Sequence, residues 1–424
     1  LKAVVLAAGR GVRLKPFTLT RPKHMLPIGG TPLLGWMLRG LREAGVDQVL
    51  VVTHYMEERI REHFGDGSEL GLRISYARQE EMRGTADAFG MAEAFAGGDE
   101  FIGVYGDLYL SPGGLEAVVR AHREGETTMA VVPVENPSRY GVVELDGDMV
   151  TGIVEKPAVG EEPSRFANAG IYAFTPEVFR WIGETGPSER GEYEVTDSIR
   201  MMIETGAPVR AVTLPSDAWL DVGLPWSLLE ANRRALATLE PSVEGEVEEG
   251  AHISGPVRVG RGARIRSGAY IEGPVIIGEG SDIGPNCYIR PATSIGAGVR
   301  IGNSCEVKNS VIMDGTHIAH LSYVGDSVIG EDCNFGAGTI TANLRFDKKT
   351  IRVNVEGSPI DSGRRKLGAL IGDDVQTGIT VNLMPGIKIG PGAWVAPGVT
   401  AYDDVPAGAF LSAPRTEPRM GRAG

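Results

Sequence analysis

The sequence predicts two consecutive domains of different class: an α/β domain built on a mostly parallel sheet, then a parallel β-helix made of six-residue repeats. Two observations carry this. Over roughly the first 240 residues, short β-rich runs alternate with helical stretches, the pattern of a sheet covered on both faces. From about residue 251, aliphatic residues recur at every sixth position, a period that fits neither a helix at about 3.6 nor an isolated strand at 2. At 424 residues the chain is also too long for one ordinary core and suits two.

In the first domain Lys2–Leu6 reads as an apolar strand running into glycines, and Leu33–Ala44 as a helix. Gln48–Thr53, Phe101–Tyr105, Met129–Val134 and Val142–Leu145 read as further strands. Trp226–Leu239 reads as a helix that Pro241 stops. That helix end sets the expected domains at 1–240 and 241–424. In the second domain the period is marked by Ile253, Val259, Ile265, Ile271, Ile277, Ile283, Ile289, Ile295, Ile301 and Val307. It slips by one residue at Ile312 and again at Ile329. It then runs through Phe335, is interrupted over about 344–368, and resumes at Ile371, Thr377, Leu383, Ile389 and Val395. Cys287, Cys305 and Cys333 occupy the small inward position two before the aliphatic residue and lack metal-type spacing. They are expected to pack in the core, in a protein of the reducing cytoplasm.

Lys and Arg number 42 against 55 Asp and Glu, a formal net charge of −13. Such a chain is a poor partner for nucleic acid or an anionic membrane, so neither is expected. No apolar run reaches about 18 residues, so no transmembrane helix is expected. A phosphate ligand would have to be met by local clusters of cations.

Such a cluster occurs near the start. Leu6-Ala7-Ala8-Gly9-Arg10-Gly11 follows the first strand, then come Arg13 and Lys23. Glycines after a strand let backbone N–H groups approach phosphates. The loop lacks the Gly-Lys-Ser/Thr of a P-loop and the third glycine of the dinucleotide fingerprint. Along the chain follow Gln79, Gly84-Thr85, Tyr105-Gly106-Asp107, Tyr140-Gly141, Glu155-Lys156-Pro157, Asn168-Ala169-Gly170 and Trp219-Leu220-Asp221. Taken together, residues 1–235 resemble the sugar-1-phosphate nucleotidylyltransferases.

That resemblance implies a Rossmann-like nucleotidyltransferase domain. In the family, a sugar-1-phosphate oxygen attacks the α-phosphorus of a nucleoside triphosphate and releases pyrophosphate. The attacking oxygen is already anionic, so the protein must align two polyanions and offset their repulsion. By the resemblance, Arg13 and Lys23 are the catalytic cations. Leu6, Ala7, Ala8, Gly9, Gln79, Gly84, Thr85 and Asp107 bind the nucleotide, and Gly141, Glu155, Lys156 and Asn168 the sugar phosphate. Asp107 and Asp221 hold Mg²⁺, a hard cation suited to carboxylates. Taken singly, Asp107 is a loop-starting residue and Asp221 a turn or cap. The wording Arg13-Leu14-Lys15-Pro16-Phe17-Thr18 is closer to glucose-1-phosphate thymidylyltransferases than to bacterial uridylyltransferases, which leaves UTP and dTTP both open.

The second domain carries its own candidates. Arg290 and Lys308 are 18 positions apart, one coil of three hexapeptides, so they are expected to stack. Stacked cations call for an anion, either a ligand or a neighbouring acid such as Glu306. From Glu306 to Asn343 the sequence resembles the acetyltransferase half of the bifunctional N-acetylglucosamine-1-phosphate uridylyltransferase/glucosamine-1-phosphate acetyltransferases, archaeal type. The resemblance implies a left-handed parallel β-helix, acetyl-CoA as co-substrate and a homotrimer. It makes His320 the base that takes the amine proton, since imidazole suits that task near neutral pH. It places Ala337 and Asn343 at acetyl-CoA, and Arg290, Lys308, Tyr323, Asn334 and Lys366 at the sugar phosphate. His317 and His24 have no such support and read as structural or surface groups. The interruption carries Arg345, Lys348, Lys349, Arg352, Arg364, Arg365 and Lys366, either a solvated hairpin or a phosphate or coenzyme A contact. Ile379 stands where the bacterial family has a serine near the coenzyme. The competing reading is a nucleotidyltransferase alone, with the β-helix as a non-catalytic assembly or regulatory module. A third, a translation-factor-like subunit with a decayed site, is opposed by the intact Arg13, Lys23, Asp107 and Asp221.

Overall fold

The computed structural model describes residues 1–413; residues 414–424, the tail of the expected second domain, lie outside the described residues. The chain forms two compact units. One comprises Leu1–Gly11, Arg21–Leu26 and Thr31–Gly223; the other comprises Val12–Thr20, Pro27–Gly30 and the chain from Leu224 on.

The first unit is a nine-stranded sheet. Its order is Arg73–Arg78, Gln48–Thr53, Lys2–Ala7, Phe101–Tyr105, Phe166–Phe174, Thr127–Pro133, Val209–Thr213, Met149–Glu155 and Gly141–Asp146. Lys2–Ala7 shows why both faces are covered. Ala3, Val5 and Ala7 join a core with Leu34, Leu38 and Leu41 of the helix Leu33–Glu43. Val4 and Leu6 join the opposite core with Phe89, Val195 and Ile199. A strand buried on both sides reads as a continuous apolar run rather than an alternating one. The first four strands are mutually parallel. Phe166–Phe174 then enters antiparallel to both its main neighbours, so the sheet is mixed rather than mostly parallel. The register of that strand shifts between Asn168 and Tyr172. Gly170 lies there at φ 71°, where a Cβ would come within 2.4 Å of the Tyr105 ring.

The second unit is a left-handed parallel β-helix with three sheets of eight, nine and eight strands. Ile253 pairs with Ile271, Ile271 with Ile289 and Ile289 with Val307, each 18 residues on. Val307 pairs with Val324 and Ile312 with Ile329, each 17 residues on. The two slips in the repeat are therefore coils one residue shorter, with the inward positions kept. Ile265, Ile283, Ile301 and Ile318 are wholly buried. The three cysteines are free and buried among them. Burial pushes their thiols up, to about 12 for Cys287 and Cys333, so they are inert packing groups.

Residues 344–368 leave the coil. Arg352–Val355 pairs antiparallel with Ser358–Asp361, and Leu344 bridges Lys366. Ile351, Val353 and Val355 are buried whereas Arg352 and Asn354 are exposed, so the hairpin packs one face and wets the other. The helix expected over 226–239 spans Ser227–Leu236 and packs in this unit. Its wholly buried Asn232 accepts from the Gly29 N–H (2.8 Å) and the Ser294 hydroxyl (2.6 Å), and donates to the Ala292 carbonyl (3.1 Å).

Candidate functional site

Two parallel neighbours build the first site. Lys2–Ala7 pairs in register with Phe101–Tyr105, Leu6 opposite Tyr105. Gly9 and Asp107 therefore emerge together from the carboxyl ends of adjacent strands, where α/β sheets bind ligands. A Cβ on Gly9 would lie 3.3 Å from both Cε and Nζ of Lys23, so the loop backbone and the ammonium are immediate neighbours. The Lys23 ammonium pairs with the Asp107 carboxylate. Burial pushes the Asp107 carboxyl up, but Lys23 beside it prevails and holds it below the usual carboxylate range. Asp221 arrives on a two-stranded ribbon, Leu108–Leu110 against Trp219–Asp221, with Asp221 opposite Leu108. The Val222 N–H donates to the Asp107 carbonyl at 3.2 Å. Lys23, Asp107 and Asp221 are thus brought together from chain positions far apart. His24 is wholly buried, and burial, then Lys23, push its imidazole down to about 3; it is a neutral packing group. Arg13 sits exposed on the short 3₁₀ turn Val12–Leu14, in a segment that folds with the second unit.

Gln79, Gly84 and Thr85 form a second cluster. Gln79 Nε2 donates to Asp87 Oδ2 at 2.7 Å and to the Gly84 carbonyl at 3.3 Å. Gly84 has φ 130°, and a Cβ there would lie 2.4 Å from the Tyr193 carbonyl oxygen. Thr85 Oγ1 accepts from the Val195 N–H at 2.9 Å. Only glycine admits this close approach, which locks the turn against residues 193–195.

Gly141, Glu155, Asn168 and Lys156 also converge. Gly141 lies opposite Glu155 in the antiparallel pair. A Cβ on Gly141 would meet Glu155 Oε2 at 3.0 Å, Thr196 Cγ2 at 3.1 Å and Asn168 Cβ at 3.5 Å. Asn168 donates to the Tyr172 hydroxyl at 2.6 Å and accepts from the Gly170 N–H at 3.0 Å. Lys156 Nζ is 3.5 Å from Glu155 Oε1. Sequence reasoning missed three members. Thr196 donates to Glu155 at 3.1 Å; Arg190 lies 3.5 Å from Glu155 and 3.2 Å from Glu194. The one signal for them was a run of acids, Glu192 and Glu194, just before a helix start.

Glu194 is 5 % exposed. Burial, then the like charge of Glu155, push its carboxyl from 4.5 up to about 7. A carboxyl whose folded pKa is raised leaves stability intact below its unfolded pKa and lowers it as pH rises through the folded value. The window is therefore about pH 4.5 to about 7. Glu194→Gln, which cannot ionise, is expected to gain stability relative to the wild type across that window. Thermal melts at pH 4.5 and pH 8 read it; an equal difference at both ends would remove the shift.

The second site lies on the β-helix. Glu306 and Val307 pair with Tyr288 and Ile289, so Arg290 and Lys308 stack one coil apart as the spacing predicts. Each cation has its own acid: Arg290 meets Glu306 at 2.9 Å and Lys308 meets Asp326 at 3.1 Å. Stacking alone therefore no longer demands a bound anion. Asp326, not singled out in the sequence as a site residue, is 3 % exposed and is the hub. It also accepts from Asn309 Nδ2 at 2.7 Å and Asn343 Nδ2 at 2.6 Å, and Asn343 donates to the Tyr323 hydroxyl at 3.0 Å. His320 is exposed at the end of His317–His320, opposite Asn303, and Leu321 turns the chain there at φ 48°. The Gly338 N–H donates to the His320 carbonyl at 3.3 Å, so Ala337 lies one coil from His320 at the same corner. Asn334 lies opposite His317. Ile379 follows in the next coil, 57 % exposed, with the Thr380 N–H donating to the Ala337 carbonyl. The hairpin returns beside its start: the Leu367 N–H donates to the Asn343 carbonyl at 3.1 Å, which brings exposed Lys366 next to Asn343.

A family profile described as nucleotidyl transferase matches residues 2–238, and one described as the GMPPB C-terminal domain matches residues 271–387. The chain is similar to a bifunctional protein GlmU of Methanococcus maripaludis, 45 % identical over 97 % of each chain. It is similar to a bifunctional sugar-1-phosphate nucleotidylyltransferase/acetyltransferase of Sulfurisphaera tokodaii, 43 % identical over 97 % of this chain and 100 % of that protein. A glucose-1-phosphate thymidylyltransferase of Streptomyces antibioticus is 36 % identical over 62 % of this chain and 74 % of its own. Among solved structures, one from Bacillus anthracis described as a glucose-1-phosphate thymidylyltransferase covers 55 % of this chain and 94 % of its own, at 30 % identity and a TM-score of 0.51.

Proposed function

We propose, from the premise that the chain belongs to the family of bifunctional sugar-1-phosphate nucleotidylyltransferase/acetyltransferases, that it makes a nucleotide sugar in two steps. It transfers acetyl from acetyl-CoA to glucosamine-1-phosphate or a related hexosamine-1-phosphate. It then joins the sugar-1-phosphate to UTP or dTTP and releases pyrophosphate. The observation that carries the two-step reading is the hydrogen-bonded cluster of Lys308, Tyr323, Asp326 and Asn343. It is polar equipment that a coil used only for assembly would not need. The rival reading, nucleotidyl transfer with an inert β-helix, leaves that cluster without a purpose.

In nucleotidyl transfer a sugar-phosphate oxygen forms the new bond to the α-phosphorus as the bond to the departing pyrophosphate breaks. Leu6, Ala7, Ala8 and Gly9 offer backbone to the triphosphate, Lys23 and Arg13 offset its charge, and Gln79, Gly84 and Thr85 face the base. Glu155, Lys156, Asn168 and Gly141 hold the sugar phosphate, with Arg190, Glu194 and Thr196 around them. Asp107 and Asp221 would hold Mg²⁺. They fit it: two hard carboxylates, Asp221 on a strand opposite Leu108 and Asp107 in the turn just before Leu108, with Asp107 kept ionised by Lys23, leaving the remaining positions to phosphate oxygens and water. When bound, the cation would offset charge on the phosphates. In acetyl transfer the amine attacks the thioester carbonyl, His320 takes the amine proton, and the carbon–sulfur bond breaks to release coenzyme A. Ala337 and Asn343 would line the coenzyme, and Arg290, Lys308, Tyr323, Asn334 and Lys366 the sugar phosphate.

The test is a product assay over a grid of nucleoside triphosphates and sugar-1-phosphates, with and without acetyl-CoA. Acetyl-CoA-dependent turnover of a hexosamine-1-phosphate supports the bifunctional reading; its absence with every hexosamine tried favours the inert β-helix. Among the described residues, no helix is long and apolar enough to cross a membrane; buried free thiols fit a cytoplasmic setting. Flat-faced prisms favour packing around a threefold axis, so a homotrimer is expected. Light scattering of active enzyme should give about three times 45.1 kDa or a multiple of that; a stable active monomer would remove the trimer.

A further inference from the structure

Gln79 follows directly on the strand Arg73–Arg78, and its backbone is fixed from both sides. Its N–H donates to the Thr53 carbonyl at 2.8 Å, and its own carbonyl lies 2.7 Å from His54 Nδ1. The residue is 3 % exposed. What the backbone leaves open is which end of the side-chain amide points which way, because half a turn about the last bond exchanges oxygen and nitrogen at almost constant shape.

Asp87, in the first turn of the short helix Thr85–Gly90, decides it. Gln79 Nε2 donates to Asp87 Oδ2 at 2.7 Å and, less closely, to the Gly84 carbonyl at 3.3 Å. A carboxylate only accepts, so the nitrogen is the end that faces it. Both Nε2 protons are then taken, and the end left over is Oε1, an acceptor. Asp87 is itself held: Arg83 Nη2 donates to its other oxygen, Oδ1, at 2.6 Å, and the Arg83 carbonyl accepts from the Tyr193 N–H at 2.7 Å. All of these residues belong to the first compact unit.

We infer that Asp87 is a positioning residue that sets nucleotide choice: by holding Gln79 Nε2 it presents Oε1 to the base and so selects a pyrimidine that carries a ring N–H. The inference rests on the reading of Gln79 as facing the base. Uracil and thymine carry a proton on N3, whereas cytosine has a bare nitrogen there, and two lone pairs would meet. A site built around one hydrogen bond discriminates by leaving the wrong partner unpaired. The methyl group that separates thymine from uracil lies across the ring from N3, so this contact treats UTP and dTTP alike.

Asp87→Asn keeps the shape and exchanges the chemistry. Arg83 still donates, so the new amide turns its oxygen to Arg83 and its NH₂ to Gln79. The Gln79 amide then turns over and offers Nε2 to the base. For this variant kcat/KM with UTP and with dTTP is expected to fall about tenfold or more relative to CTP, with the melting temperature and acetyl transfer unchanged. Asp87→Ala, which frees the amide without reversing it, is expected to shrink the UTP-to-CTP ratio by less. If Asp87→Asn keeps the wild-type ratio while Gln79→Leu loses it, the inference is overturned and the reading of Gln79 stands. If Gln79→Leu also keeps the ratio, the reading of Gln79 falls and takes the inference with it. If Asp87→Asn slows UTP, dTTP and CTP alike, or lowers the melting temperature and acetyl transfer with them, the contact is merely structural and the inference is again overturned.

Discussion

Asp107→Asn and Asp221→Asn are each expected to abolish most nucleotidyl transfer while leaving acetyl transfer near the wild-type rate. Asp107 has two duties in the structure. It balances the Lys23 ammonium, and it immediately precedes Leu108, the residue that pairs with Asp221. The amide keeps the shape and removes the charge, so Lys23 loses its partner and the cation proposed for the pair loses half its carboxylate charge. Removing one preorganised group that stabilises charge in a transition state costs about 100- to 1,000-fold. Asp221→Asn leaves the Lys23–Asp107 pair intact and so isolates the cation's share. The acetyl-transfer residues belong to the other compact unit, which has its own core, and changes without shared partners add independently. The measurements are the two initial rates on the same preparation and a Mg²⁺ titration followed by melting temperature. Near-normal uridylyl and thymidylyl transfer in both variants would show that these carboxylates do not hold the cation.

What the sequence revealed divides along physical lines. The hexapeptide period was legible to the residue, including both slips, because every coil must bury one aliphatic residue per face and the chain has no alternative packing. The parallel half of the sheet was legible for the same reason: Gln48–Thr53 and Phe101–Tyr105 are unbroken apolar runs. Phe166–Phe174 was not, since Asn168 and Gly170 interrupt its pattern and its antiparallel entry depends on neighbours far along the chain. Gly9, Gly84, Gly141 and Gly170 were legible as motif members; their reasons, close approaches to Lys23, Tyr193, Glu155 and Tyr105, exist only in three dimensions. Asp326 shows the limit most clearly. Its environment is made by Lys308, Asn309 and Asn343, the nearest of them 17 residues away, and nothing in its local sequence distinguishes it from any corner aspartate. It also narrowed the electrostatic argument: of the two alternatives open for the stacked cations, a bound anion or a neighbouring acid such as Glu306, Lys308 has the acid, and it is Asp326.

His320→Ala is expected to remove acetyl transfer, by about 100- to 10,000-fold, while sparing nucleotidyl transfer and assembly. The amine must lose a proton as it attacks the thioester, and a positioned base sets that step. The structure supplies the reason the variant should fold. Ile318 fills the inward position and is wholly buried, whereas His320 is exposed, so truncation opens no core cavity. The contacts that fix the corner use the His320 backbone: its carbonyl accepts from the Ser322 hydroxyl at 2.8 Å and from the Gly338 N–H. Both survive the substitution. Lys308→Ala should behave differently. It strips Asp326 of the Lys308 ammonium and leaves a carboxylate that is 3 % exposed with, among the described residues, the amide donors Asn309 and Asn343. Loss of sugar-phosphate affinity should therefore come with some loss of stability, and KM should rise more than kcat falls. Initial rates against acetyl-CoA and hexosamine-1-phosphate, with melting temperatures, separate the two variants. A His320→Ala enzyme that acetylates at the wild-type rate would move the base elsewhere. A wild type that acetylates nothing would return the β-helix to a scaffold and leave the buried Asp326 cluster to some other ligand.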